Sequence, residues 1–183
     1  MPAEFIAATT RELRSLKRAA DRAIAQLADD QFFALLDPEA NSIAMLVKHL
    51  AGNMRSRWSD FLTTDGEKPF RHRDEEFRIE AADTRAALVE RWEQGWKILL
   101  GTLESLAPGD LERTVTIRTE PYTALGAAQR SLAHYSGHIG QIVLLAKHLA
   151  GAKWQTLSIP RGKSEDHNAA FREKFQGKPH TSG

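Results

Sequence analysis

Proline placement constrains this chain more than any other feature. The seven prolines stand at positions 2, 38, 69, 108, 121, 160 and 179 and leave four proline-free windows of 35, 30, 38 and 38 residues. Proline lacks the amide proton and clashes with the preceding turn, so helix interiors exclude it, and windows of this length suit four long helices. Apolar spacing fills each window. Over residues 4–28, Phe5, Leu13, Leu16, Ala20, Ala23, Ile24 and Leu27 recur at steps of three and four, one face of a helix. A second stripe runs through Ile43, Leu46, Val47, Leu50, Met54 and Phe61, with Asn41 and Ser42 as N-cap candidates and an expected end near 63–66. Asp83 is the expected cap of a third helix, built on Ala87, Leu88, Trp92, Ile98, Leu99, Leu103 and Leu106 and stopped by Pro108-Gly109. The fourth is expected over 124–150, closed by Gly151. Gly95 and Gly101 cost the third helix ~1 kcal/mol each relative to alanine, which close packing can offset, and Gly137 and Gly140 read as close-approach positions on the fourth.

The connections carry less information. Phe32, Phe33, Leu35 and Leu36, between the first two helices, are expected to tuck under the bundle. The stretch EKPFRHRDEEFRIE, residues 67–80, is dense in both charges and reads as a surface loop or irregular crossover. Val115, Ile117 and Thr119 alternate with polar residues, so short β strands are expected between the third and fourth helices. A short helix is expected after Ser164. The whole reads as one all-α domain, 1–183, a four-helix bundle with a long crossover and with 152–183 as an extension packed on it.

Charge and composition narrow the function. With 25 Lys and Arg against 24 Asp and Glu the formal charge is +1, and long blocks of one sign are absent, so neither a nucleic-acid footprint nor a polybasic membrane anchor is expected. Arg11, Arg14, Lys17, Arg18 and Arg22 line one face of the first helix, but Glu4, Glu12 and Asp21 balance them and a solvated face is the simpler reading. No apolar run approaches the ~18–20 residues of a membrane span, and the amino terminus lacks a signal-peptide pattern. A cytoplasmic location follows as an expectation. The chain has no cysteine, which excludes disulfides, thiolate ligands and a cysteine nucleophile, and leaves His, Asp or Glu for any metal.

Of seven histidines, His72, His167 and His180 lie in polar surroundings and His148 points outward, so all four are expected at the surface. His134 and His138 are four residues apart, which puts both imidazoles on one helix face about a turn apart, a spacing able to chelate one metal ion. They fall on the flank of the fourth helix's apolar stripe, and His49 falls on the same flank of the second. Packed side by side, these helices bring three imidazoles to the lip of the core. The competing reading is a core-edge His49 beside a chance pair. Three neutral imidazoles without carboxylate or thiolate leave a divalent ion with open positions, and zinc, nickel, iron or cobalt suits such a set. Around them, Asn53 lies one turn past His49 and either orients a ligand or makes a helix–helix hydrogen bond. Arg57 lies near the centre of the stripe, where an unpaired guanidinium is costly, and calls for a carboxylate or an anionic substrate, with Asp60 as the natural partner. Gln141 shares the flank of His134 and His138, where a surface position is the simpler reading and a place in the pocket the alternative.

The segments NSIAMLVKHLAGNMRSRWSDFL and SLAHYSGHIGQIVLLAKHL resemble the two signature helices of the DinB-like superfamily, the YfiT-type metalloenzymes, and the resemblance extends over nearly the full chain. WQTLSIPRGKSEDHN and GEKPFRHRDEEF resemble one branch of it, a domain-of-unknown-function group. The resemblance implies a four-helix bundle with a long crossover, a homodimer, and a divalent metal at His49, His134 and His138, with zinc or nickel the usual occupant and iron, cobalt or manganese as alternatives. Relatives include S-transferases that use low-molecular-weight thiols, and a mycothiol-dependent maleylpyruvate isomerase. A metal-dependent transferase or hydrolase of a small molecule, with a thiol cosubstrate in the first case, is therefore the leading expectation. A non-catalytic metal-binding bundle, acting as a ligand sensor or scaffold, is the alternative.

Overall fold

The computed structural model describes residues 2–175. The elements in chain order are α1 (Pro2–Ile24), α2 (Asp29–Phe33), α3 (Ile43–Trp58), α4 (Arg85–Ser105), β1 (Thr114–Ile117), β2 (Glu120–Thr123), α5 (Ala124–Ala150) and α6 (Ser164–Phe175), with a 3-10 turn at Arg73–Phe77. The long helices α1, α3, α4 and α5 fill the four proline-free windows and form an all-α bundle. In it α3 packs chiefly on α4, α1 chiefly on α5, and lesser contacts join α1 to α4 and α3 to α5.

Local chemistry fixes the helix ends. Ser42, Thr84 and Thr123 each accept a hydrogen bond from the backbone three residues on, at Met45, Ala87 and Gly126, and so cap α3, α4 and α5. Asp83 does not cap: its carboxylate is buried and pairs with Lys48 at 2.7 Å and Arg91 at 2.9 Å. Gly151 ends α5 with φ of 54°. The end of α3 differs from expectation. The helix stops at Trp58, and Asp60 takes a left-handed φ of 49°. Phe61 nevertheless stays in the core, its ring stacked 4.6 Å from that of Trp58, so the stripe outlasts the helix that begins it.

Trp58, Trp92, Trp96 and Tyr135 are the largest buried side chains. Where α3 crosses α4, a Cβ on Gly95 would sit 3.3 Å from both the Cα and the carbonyl oxygen of Ala51, and that close approach offsets the propensity penalty. Gly101, Gly137 and Gly140 face open space, so packing explains none of them. In the 25–42 connection Phe32 is buried, whereas Leu35 and Leu36 are exposed rather than tucked under the bundle. The basic stripe of α1 is tied to α4: Arg14 pairs with Glu104, and Lys17 with Glu93 at 2.8 Å. Among the described residues no helix is long and apolar enough to cross a membrane.

The two strands form the expected antiparallel hairpin, with Thr114 opposite Thr123 and Ile117 opposite Glu120. Its tip, Arg118 and Thr119, holds φ of 54° and 65°, the geometry of a two-residue hairpin turn that usually takes Asn or Gly. Asp65 compensates by accepting from both tip amides, Arg118 N at 2.9 Å and Thr119 N at 2.8 Å. Past α5, Trp154 and Leu157 pack on the core and Gln155 exchanges hydrogen bonds with Gln26. The side chains of α6 are exposed through residue 174. His180 lies outside the described residues.

Candidate metal centre

α3 contributes His49 and α5 contributes His134 and His138, each from the flank of its apolar stripe. Their ring centroids are 5.4 Å apart for His49 and His134, 4.9 Å for His49 and His138, and 4.6 Å for His134 and His138. One nitrogen from each ring lies within 4.8 Å of the other two. His49 is buried and the other two are half-buried. His72, His148 and His167 are exposed, as their surroundings suggest.

Each ring is held differently. His49 Nδ1 lies 2.8 Å from Glu76 Oε2, which leaves Nε2 as its free nitrogen, and Phe77 covers the ring at 4.9 Å. His138 Nδ1 lies 2.9 Å from Gln141 Oε1, which again leaves Nε2. His134 Nε2 is buried without a hydrogen-bond partner among the described residues. An orphaned ring nitrogen in a polar cluster is an energetic fault unless something fills it. Burial, reinforced by His138 and His49, pushes His134 down to about 4, so the ring is neutral and its nitrogen is a free donor to a metal. His138 is lowered as well, by burial first, against the opposing hydrogen bond to Gln141.

Glu76 is the residue that sequence reasoning missed. The 67–80 stretch is not simply a surface loop, for its 3-10 turn carries Glu76 inward until it is 6% exposed. Arg71, whose side chain is buried, grips the carboxylate through Nε to Oε1 at 2.8 Å and Nη2 to Oε2 at 2.9 Å. Burial alone would raise the Glu76 carboxyl; the hydrogen bonds from His49 and Arg71, with their charge, outweigh it and hold it below the usual carboxylate range. The close approach depends on Gly52, where a Cβ would meet Glu76 Oε1 at 2.2 Å. A carboxylate that fixes a histidine through its second nitrogen is the usual outer partner of a metal-ligating imidazole.

The remaining expected residues divide. Asn53 lines the cavity beside the imidazoles and also makes the helix–helix bond: Trp58 Nε1 donates to the Tyr135 hydroxyl at 3.0 Å, and that hydroxyl donates to Asn53 Oδ1 at 3.0 Å. Gln141 holds His138. Arg57 lines the cavity, but Asp60 is not its partner, because α3 ends before Asp60 and the two no longer share a helix face. Among the described residues no carboxylate pairs with Arg57. The cavity measures about 330 Å³. Its lining adds Arg71, Arg73, Arg118 and Arg130, which come from three separate segments and leave no joint signature in the sequence.

Fold and site together describe a helical bundle with three converging histidines able to hold a metal ion. The chain belongs to the family described as "Protein of unknown function (DUF1572)", whose model matches residues 1–163. No curated protein matches it.

Proposed function

We propose that His49, His134 and His138 hold one divalent metal ion and that the protein is a metal-dependent enzyme of the DinB-like superfamily, acting on a small molecule. The observation that carries this reading is the buried, unpartnered Nε2 of His134, on a ring packed beside two others already anchored through Nδ1. Three imidazoles accept zinc, nickel, iron or cobalt alike, and the resemblance to the DinB-like superfamily is what favours zinc or nickel, with iron, cobalt or manganese as alternatives. A divalent ion held by these three rings would supply Lewis acidity, able to make a thiol or water nucleophilic near neutral pH. The chain has no cysteine, so a thiol-dependent transfer needs the thiol as cosubstrate, and hydrolysis needs none.

The protein's own residues do the positioning. Ionised Glu76 accepts the Nδ1 proton of His49 and fixes the tautomer whose Nε2 is free, while Arg71 keeps that carboxylate in place. Gln141 does the same for His138 from the solvent side. Asn53 has its carbonyl oxygen committed to Tyr135, which turns its amide NH2 over to a ligand in the cavity. Turnover of electrophiles with bacillithiol, mycothiol, glutathione or water, measured on metal-loaded protein, tests the reaction. Activity lost in His138→Ala supports the enzyme, and silence across the panel with metal bound leaves the non-catalytic bundle.

A further inference from the structure

The positive charge in the imidazole cavity is not used up by the residues around it. Five arginines line the cavity and no carboxylate does. Three of them have acidic partners: Arg71 pairs with Glu76 and Glu67, Arg118 with Glu67, and Arg73 with Asp74. Arg57 and Arg130 have no ion pair among the described residues. Arg130 lies at the exposed rim, its guanidinium 5.6 Å from the Tyr122 ring centroid. Arg57 is 5% exposed, and its one hydrogen bond runs from Nε to the Gly66 carbonyl at 3.4 Å. A guanidinium buried that far without a counter-charge is expensive to hold. Burial first, and then repulsion from Arg130 and Arg71, pulls its pKa below the ordinary value.

The hairpin adds a second, independent observation. Two non-glycine residues in left-handed conformation, one of them β-branched, make a strained turn, and strain of this kind concentrates at ligand sites. The three backbone amides that Asp65 gathers, from Glu67, Arg118 and Thr119, keep this turn in place and present Arg118 to the cavity.

We propose that the cavity binds a small organic anion, its carboxylate or phosphate group held by Arg57 in the wall and Arg130 at the rim, and its reactive end directed to the three imidazoles. Guanidinium groups take both oxyanions as forked, charge-assisted partners. A cavity of about 330 Å³ is at the small end of ligand sites. The substrate class deepens the metalloenzyme reading, but the anion seat itself stands on the arginines alone.

Isothermal titration calorimetry on the full chain at low ionic strength, with inorganic phosphate and separately with malonate, tests the proposal and distinguishes a phosphoryl from a carboxylate seat. Saturable one-to-one binding of at least one probe is expected, weakened about tenfold or more by Arg57→Gln and severalfold by Arg130→Gln. Arg91→Gln, outside the cavity, leaves it unchanged. Circular dichroism reports whether Arg57→Gln folds; Arg130, being exposed, decides the matter if it does not. No saturable binding, binding indifferent to both arginines, or binding that follows Arg91 overturns the proposal. So does binding lost in His138→Ala but kept in both arginine variants, since the anion then sits at the imidazoles. Metal content measured on the same samples separates the two readings: metal present with no arginine effect sinks the anion seat alone, and arginine-dependent phosphate binding by protein that takes up no zinc or nickel when offered it sinks the metal alone.

Discussion

Two cavities of nearly equal size, about 310 and 330 Å³, lie on either side of the Arg71–Glu76 pair: Arg71 lines both, Glu76 lines the first, and its partner His49 lines the second. In the first, Lys48, Arg55, Arg71 and Arg91 face Glu75, Glu76, Glu80 and Asp83. Five of the eight pair with one another, through Lys48 and Arg91 on Asp83 and Arg71 on Glu76, and the other three, Arg55, Glu75 and Glu80, are exposed to solvent. In the second, three imidazoles and five arginines line the wall with no acid among them, and Arg57 and Arg130 have no ion pair among the described residues. Size therefore does not distinguish the two cavities. Unsatisfied chemistry does: a polar cleft whose charges pair internally or reach solvent is complete as it stands, whereas free ring nitrogens and unpaired guanidinium groups leave donors open to a ligand.

The sharpest way to break this contrast is Glu76→Ala, which removes the shared wall. It leaves the buried Arg71 side chain with only its 3.3 Å pair to Glu67, an expected loss of about 2–4 kcal/mol in thermal or denaturant unfolding, and weakens metal affinity about 10–100-fold in a chelator competition. Full stability with full metal affinity would show that the pair plays no part in holding His49. Asp65→Ala comes next, with about 1–2 kcal/mol lost as backbone amides forfeit their acceptor. Burial would raise the Asp65 carboxyl, but hydrogen bonds from Glu67, Thr119 and Arg118 bring it from 3.8 to about 2. Because the folded pKa lies below the unfolded one, its contribution is complete above 3.8 and fades as pH falls towards 2. Wild type should show that acid slope in urea midpoints and the variant a shallower one; equal slopes would remove Asp65 from the account of the hairpin.

Gly52→Ala sharpens the comparison more finely. Alanine recovers up to ~1 kcal/mol of helix propensity, yet its Cβ displaces the Glu76 carboxylate, so stability changes little while metal affinity falls about tenfold. Unchanged affinity in the competition assay would mean that Glu76 relaxes without consequence for His49. The smallest effect belongs to the balanced cavity. Arg91 is about half exposed, and Arg91→Gln should cost about 0–1 kcal/mol with metal content unaltered, a result that metal analysis and a thermal melt check together.

The helices were readable because their causes are local: proline-free windows, three-and-four spacing, and Ser42 and Gly151 at the ends. The histidine cluster was readable because an i, i+4 pair and a flank position survive as angles on a helix. Glu76 was not. It lies 27 residues from His49, in a run of mixed charge whose periodicity says solvent, and only the grip of Arg71 makes its burial tolerable. The Arg57–Asp60 pairing failed for a related reason: whether a helix runs one turn further depends on where Phe61 packs, which is a tertiary matter.

The central claim is that three imidazoles hold one divalent ion, and metal analysis by inductively coupled plasma mass spectrometry on natively purified protein tests it most directly. About one metal per chain is expected in the wild type, and about a tenth or less in a folded His138→Ala variant, since losing one of three protein ligands removes most of the affinity. Metal-free wild-type protein that takes up no zinc or nickel when offered it, or a His138→Ala variant that keeps its metal, would contradict the account.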